Sequence, residues 1–65
     1  MAGALDREVI FEFQRLGPYV KVIAIDVRTQ EEISITGAAN APQEYLQKLA
    51  YDRLRQVLEK KGLWS

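Results

Sequence analysis

The sequence predicts an α+β fold: a three-stranded antiparallel β-meander with one C-terminal α-helix packed on one face, a βββα unit. Three observations carry that expectation. Apolar residues recur at a period of two in three segments before Gly37. The stretches between those segments are short and rich in turn formers, which suits antiparallel connections and no crossover. After Gly37 the apolar period changes to 3.6, and it stays there almost to the end of the chain.

The first strand is expected at about residues 8–15, where Val9, Phe11 and Phe13 alternate with Ile10, Glu12 and Gln14. Gly17 tolerates positive φ and Pro18 fixes its own φ near −65°, so "GP" makes a tight turn into the second strand. That strand, "YVKVIAIDV" at residues 19–27, is apolar on both of its faces. "RTQE" separates it from a third strand, "EISIT", at residues 32–36.

The helix is expected at about residues 41–61. Asn40 suits the N-cap, Pro42 falls in the first turn where its missing N–H costs little, and Gln43 could reach back in a capping box. Gly62 suits the C′ position, with Lys60 and Lys61 at the negative end of the helix and Leu63 placed for the apolar contact of a Schellman cap. On a helical wheel Leu46, Leu49, Ala50, Leu54, Val57 and Leu58 form one face. The opposite face carries Glu44, Lys48, Asp52, Arg55 and Glu59, whose opposite charges at i, i+4 mark it as solvated.

The chain forms one domain, residues 1–65, with residues 1–6 and 63–65 expected as frayed tails. At 65 residues it buries only about 60% of its unfolded surface, so the single core is marginal. It has no cysteine and no histidine, which removes disulfides, thiolate metal sites and the commonest general base and metal ligand. Idealised packing or self-association remains to support a fold of this size. Nine basic residues balance nine acidic ones, against the basic field usual in a duplex-binding domain. No basic segment precedes an apolar run and no stretch approaches the roughly 20 apolar residues that span a bilayer, so a cytoplasmic protein without membrane association is expected.

One helix covers one face of the sheet. The set best matched to it is Val9, Phe11, Phe13, Ile33 and Ile35 with Val20, Val22 and Ala24, because the alternative register would bury Lys21. Ile23 and Ile25 then turn to the other face beside Ile10, Ser34 and Thr36, with Glu12, Gln14 and Lys21 around them. An apolar patch with a polar rim reads as a contact surface for a second copy or another protein, unless the tails fold over it. Trp64 either packs on the end of the helix or serves this patch as an interface anchor.

Chemistry has little to work with. Ser34 and Thr36 lack a histidine or lysine motif that would activate a hydroxyl. Asp26, Glu31 and Glu32 match no calcium loop, and a turn cap is the ordinary role for such an aspartate. Gly17 and Gly37 are isolated and form no phosphate loop. No catalytic, cofactor-binding or metal-ligating residue is assigned, and no cofactor and no enzymatic activity is expected.

Three strands followed by a helix also describe some DNA-binding domains and the end of a double-stranded-RNA-binding domain. The RNA-binding fold needs a first helix and a lysine cluster where this chain has "APQEYLQ". Nucleic acid is therefore the alternative reading, through Arg15, Lys21 and Arg28.

The stretches "VIFEFQRLGPYVKVIAIDVRTQEEISITG" and "YLQKLAYDRLRQVLEKKG" together resemble a family of very short, uncharacterised bacterial proteins classed only as a domain of unknown function. The markers are an aromatic-alternating first strand, a glycine turn, "AID", "ISITG" and a leucine-rich helix, covering about residues 8–62. The resemblance implies a cytoplasmic bacterial βββα domain and brings no site or activity with it. The function expected on these grounds is a non-catalytic protein-binding or assembly module with Ile10, Ile23, Ile25 and Trp64 as its contacts.

Overall fold

The computed structural model describes residues 7–64. Strand β1 is Val9–Leu16, β2 is Tyr19–Asp26, β3 is Glu32–Ala38, and helix α1 is Gln43–Lys60. The strands form one antiparallel sheet in the order β1-β2-β3, so β2 is central and the expected βββα meander is the fold.

Gly17 has φ +63° and the proline after it a negative φ, the sign pattern of a type II′ turn, whose twist suits a two-residue hairpin. Leu16 therefore stays in the ladder opposite Tyr19, one residue beyond the expected end of β1. Strand β3 also runs further than expected, to Ala38. Gly37 sits opposite Val20 and faces the helix, and a Cβ built there would stand 2.5 Å from Leu46 Cδ2. The residue that looked like a turn glycine is thus the place where the strand lets a helix side chain in close.

The helix begins two residues later than expected. Pro42, with φ −59° and ψ 134°, holds the cap position and no side chain caps the helix, so the roles expected of Asn40 and Gln43 are not realised. Backbone bonds order the approach instead: Ala39 N–H to Pro18 O at 2.8 Å and Ala41 N–H to Ala38 O at 3.0 Å. The other end matches its expectation. Gly62 takes φ +75°, its N–H reaches Glu59 O at 3.1 Å and the Leu63 N–H reaches Leu58 O at 2.7 Å, which together make a Schellman motif.

Cross-strand partners share a face, so the register Phe11 to Ala24, Phe13 to Val22, Val22 to Ile35 and Ala24 to Ile33 defines the inner face. Its core is Val20, Val22 and Ala24 with Leu46, Ala50, Leu54 and Leu58, and Val9, Phe11, Phe13, Ile33 and Ile35 pack against it. The helix lies over β2 and β3, beside β1 more than on it. It buries only the stripe at every fourth residue, and Leu49, expected in the core, is 40% exposed. On its outer side Lys48 pairs with Asp52 at 3.2 Å and Arg55 with Glu59 at 3.1 Å. With Lys48 turned toward Asp52, the expected pair with Glu44 does not form.

Leu63 and Trp64 are docked. The Arg7 guanidinium lies 4.5 Å over the Trp64 ring and donates to Leu63 O at 3.2 Å, while Arg55 approaches the same ring at 5.0 Å and Tyr51 meets it edge-on. Leu63 and Trp64 are therefore no frayed tail. The expected tail at residues 1–6, and Ser65 of the expected tail at residues 63–65, lie outside the described residues.

Candidate functional site

Since the inner face belongs to the helix, the even-numbered residues of β1 and the odd-numbered residues of β2 build the outer face. The register lays it out in rows: Ile10, Ile25 and Glu32; then Glu12, Ile23 and Ser34; then Gln14, Lys21 and Thr36; then Leu16, Tyr19 and Ala38. Ile10, Ile23 and Ile25 are thereby brought together at one end, as the period of two requires. Ile10 is 45% exposed, and Ile23 and Ile25 are half-buried by their own neighbours. Among the described residues no strand or helix lies over this face.

One further apolar residue of the outer face, Leu16, was left outside β1 in the sequence reading. Leu16 and Tyr19 form a second apolar row beside the β1–β2 turn, both more than half exposed. Alternation alone could have found it, had Leu16 been kept in β1. Between the two apolar ends runs a polar belt of Glu12, Gln14, Lys21, Ser34 and Thr36.

Trp64 does not join this patch. It packs against the core on the helix side, between Tyr51, Arg7 and Arg55. The sequence offered both roles for it, and the anchor role is corrected by the two guanidinium groups that hold the ring at the end of the helix.

The register also disperses Arg15, Lys21 and Arg28. Arg15 is beside the β1–β2 turn and donates to the Gly17 carbonyl, Lys21 is on the outer face, and Arg28 lies in the turn at the opposite end of β2. Five residue steps of extended strand, roughly 17 Å, separate Lys21 from Asp26 at the end of β2, and Arg28 lies in the turn beyond it. A single basic surface does not result.

The strongest polar constellation is one that sequence reading missed in part. Asp26 is fully buried, and its Oδ2 accepts from Arg7 Nη1 at 2.8 Å, from the Thr29 hydroxyl at 2.6 Å and from the Thr29 N–H at 3.2 Å. Its backbone carbonyl accepts the Gln30 N–H at 2.7 Å, with Gln30 at φ +63°. The expected turn cap is thus present, but it is also half of a buried ion pair whose side chains are 4% and 0% exposed. Removing one partner of such a pair strands a charge in the interior, so the arrangement ties β1, the β2–β3 turn and the chain end into one joint. Asp26 and Arg7 stand nineteen positions apart, and only the register makes them neighbours.

Glu31 does not join Asp26 around a cation, because Lys61 Nζ holds it at 2.7 Å. Among the described residues no group of three or more His, Cys, Asp or Glu could hold a metal. Ser34 and Thr36 stand on the exposed face, Thr36 opposite Lys21 with no hydrogen bond between them. A groove of about 270 Å³ between β1 and the helix is lined by Phe11, Glu44, Gln47, Lys48 and Tyr51, and a smaller one of about 150 Å³ on the sheet is lined by Lys21, Ile23, Glu32, Ile33 and Ser34. No described helix is long and apolar enough to cross a membrane.

Compared with known proteins, the chain matches the family described as Domain of unknown function (DUF6898) over residues 6–61. That span covers most of its length, the chain belongs to this family, and the resemblance to a domain of unknown function is borne out. No curated protein and no solved structure matches it.

Proposed function

We propose that this DUF6898 member is a non-catalytic protein-binding or assembly module whose contact patch is the outer face of the sheet, centred on Ile10, Ile23 and Ile25. The observation that supports this most directly is the placement of those isoleucines. The three sit as neighbours on β1 and β2, Glu12 and Glu32 flank them, and no described element covers them. An apolar centre inside a charged rim is the composition of a protein interface, and because the isoleucines are already partly covered, taking the rest of each out of water contributes at most about 1 kcal/mol to whatever covers it. The nucleic-acid alternative draws no support from a geometry that disperses Arg15, Lys21 and Arg28.

The test is the double substitution Ile23→Thr with Ile25→Thr, which keeps β-branched residues in the strand and removes the apolar patch. Sedimentation and affinity capture are run on both proteins, with circular dichroism as the control for folding. Association lost by a natively folded variant supports the reading; a partner or self-association retained at full strength by the variant refutes it.

A further inference from the structure

We infer that β1 is a pairing edge for a second copy of this chain, forming a continuous six-stranded antiparallel sheet about a two-fold axis at Phe13. The inference concerns the strand edge and is independent of what the outer face takes. Glu8 O accepts from Val27 N–H, so the backbone groups of even-numbered residues point toward β2. Those of Val9, Phe11, Phe13 and Arg15 then point outward, away from β2, into the position of the next strand.

Natural sheets protect such an edge with proline, lysine, a bulge or a covering element. Among the described residues strand β1 has none of these. All eight residues pair one to one with β2 without a bulge, the strand contains neither proline nor lysine, and α1 lies over β2 and β3 instead. The uncovered flank on the helix side is the groove lined by Phe11, Glu44, Gln47, Lys48 and Tyr51, which leaves room for the side chains of an added strand.

Charge and overlap together select the register. Pairing about Ile10 sets Glu8 opposite Glu12 of the second copy, and pairing about Glu12 sets that carboxylate against itself, each a like-charge contact that weakens the sheet. Pairing about Phe11 or Gln14 joins only residues 9–13 or 12–16 of each β1, whereas pairing about Phe13 joins residues 10–16 and has no like-charge conflict. It sets Phe13 against Phe13, Ile10 against Leu16, Glu12 against Gln14 and Phe11 against Arg15. The last contact brings the guanidinium to the groove beside Phe11 and Glu44. Among the described residues Glu44 has no ion pair, Lys48 being held by Asp52, so the incoming cation finds both an aromatic ring and a carboxylate. The half-buried Phe11 and Phe13 of the two copies cover one another in the same step.

Sedimentation equilibrium combined with concentration-dependent amide exchange of the full chain tests this. The expected result is a dimer in which the amides of Phe11, Phe13 and Arg15 become protected as concentration rises. Gln14 is exposed and stands opposite Glu12 of the second copy twice over. Gln14→Lys should therefore tighten the dimer and Gln14→Glu weaken it, each by about 2- to 30-fold. A chain that remains monomeric at about 1 mM overturns the inference. So does a dimer in which those three amides exchange freely, which would assign the contact to the sheet face, or one indifferent to both Gln14 variants.

Discussion

On the helix side of the sheet Val22 and Ala24 are completely buried in one core with Leu54 and Leu58, while one residue along the same strand Ile23 and Ile25 are only half-buried and their neighbour Ile10 is 45% exposed. The two faces draw on the same class of residue. What separates them is size matched to cover: the inner face uses Ala24 and Gly37 where the helix comes close, and the outer face keeps branched bulk with nothing described above it. A face shaped by a neighbour carries small residues at the points of approach. The outer face carries isoleucines beside a charged belt, which suits a surface that meets its cover from outside.

That contrast can be broken or sharpened by substitution. The largest effect is expected at the joint below the inner face: Asp26→Ala leaves the 4%-exposed Arg7 side chain without its partner and should cost about 3–5 kcal/mol in urea unfolding. A loss within experimental error would mean the pair is dispensable and the joint is held by Trp64 alone. Leu54→Ala empties part of the core and should cost about 2–5 kcal/mol, read as a fall in the urea midpoint at unchanged slope. Gly37→Ala tests the close approach of Leu46 and should cost about 1–3 kcal/mol of thermal stability through overpacking; a more stable variant would show that Leu46 has room to yield. Ile10→Thr on the other face should change stability by no more than about 0.5 kcal/mol. A cost like that of Leu54→Ala would place Ile10 in the core and erase the distinction between the faces.

Periodicity, turn chemistry and the C-terminal cap made the meander and its inner face legible in the sequence, because each is a local signal. The isoleucine patch was legible for the same reason, as a consequence of alternation once β2 was placed in the centre. The missing parts are those that depend on distance or on how layers are laid. Nothing in "APQEYLQ" says that Pro42 and not Asn40 caps the helix, since backbone bonds from the preceding turn replace the side-chain cap. Nothing local says that the helix favours β2 and β3, which is what turns Leu49 outward and opens the groove beside Phe11. Trp64 was ambiguous because its position depends on Arg7, at the other end of the chain, and on Arg55, one face of a helix away.

The joint at Trp64 also gives the molecule an optical handle. Trp64 is the chain's one tryptophan, and it sits where β1, the helix and the last residues meet, with guanidinium groups at 4.5 and 5.0 Å from its ring. Its emission therefore reports on that single place, while the far-ultraviolet dichroism reports on the helix as a whole. Coincident melting curves from the two signals would make the joint part of one cooperative unit, and an earlier change in emission would mark it as the seam where the fold first comes undone.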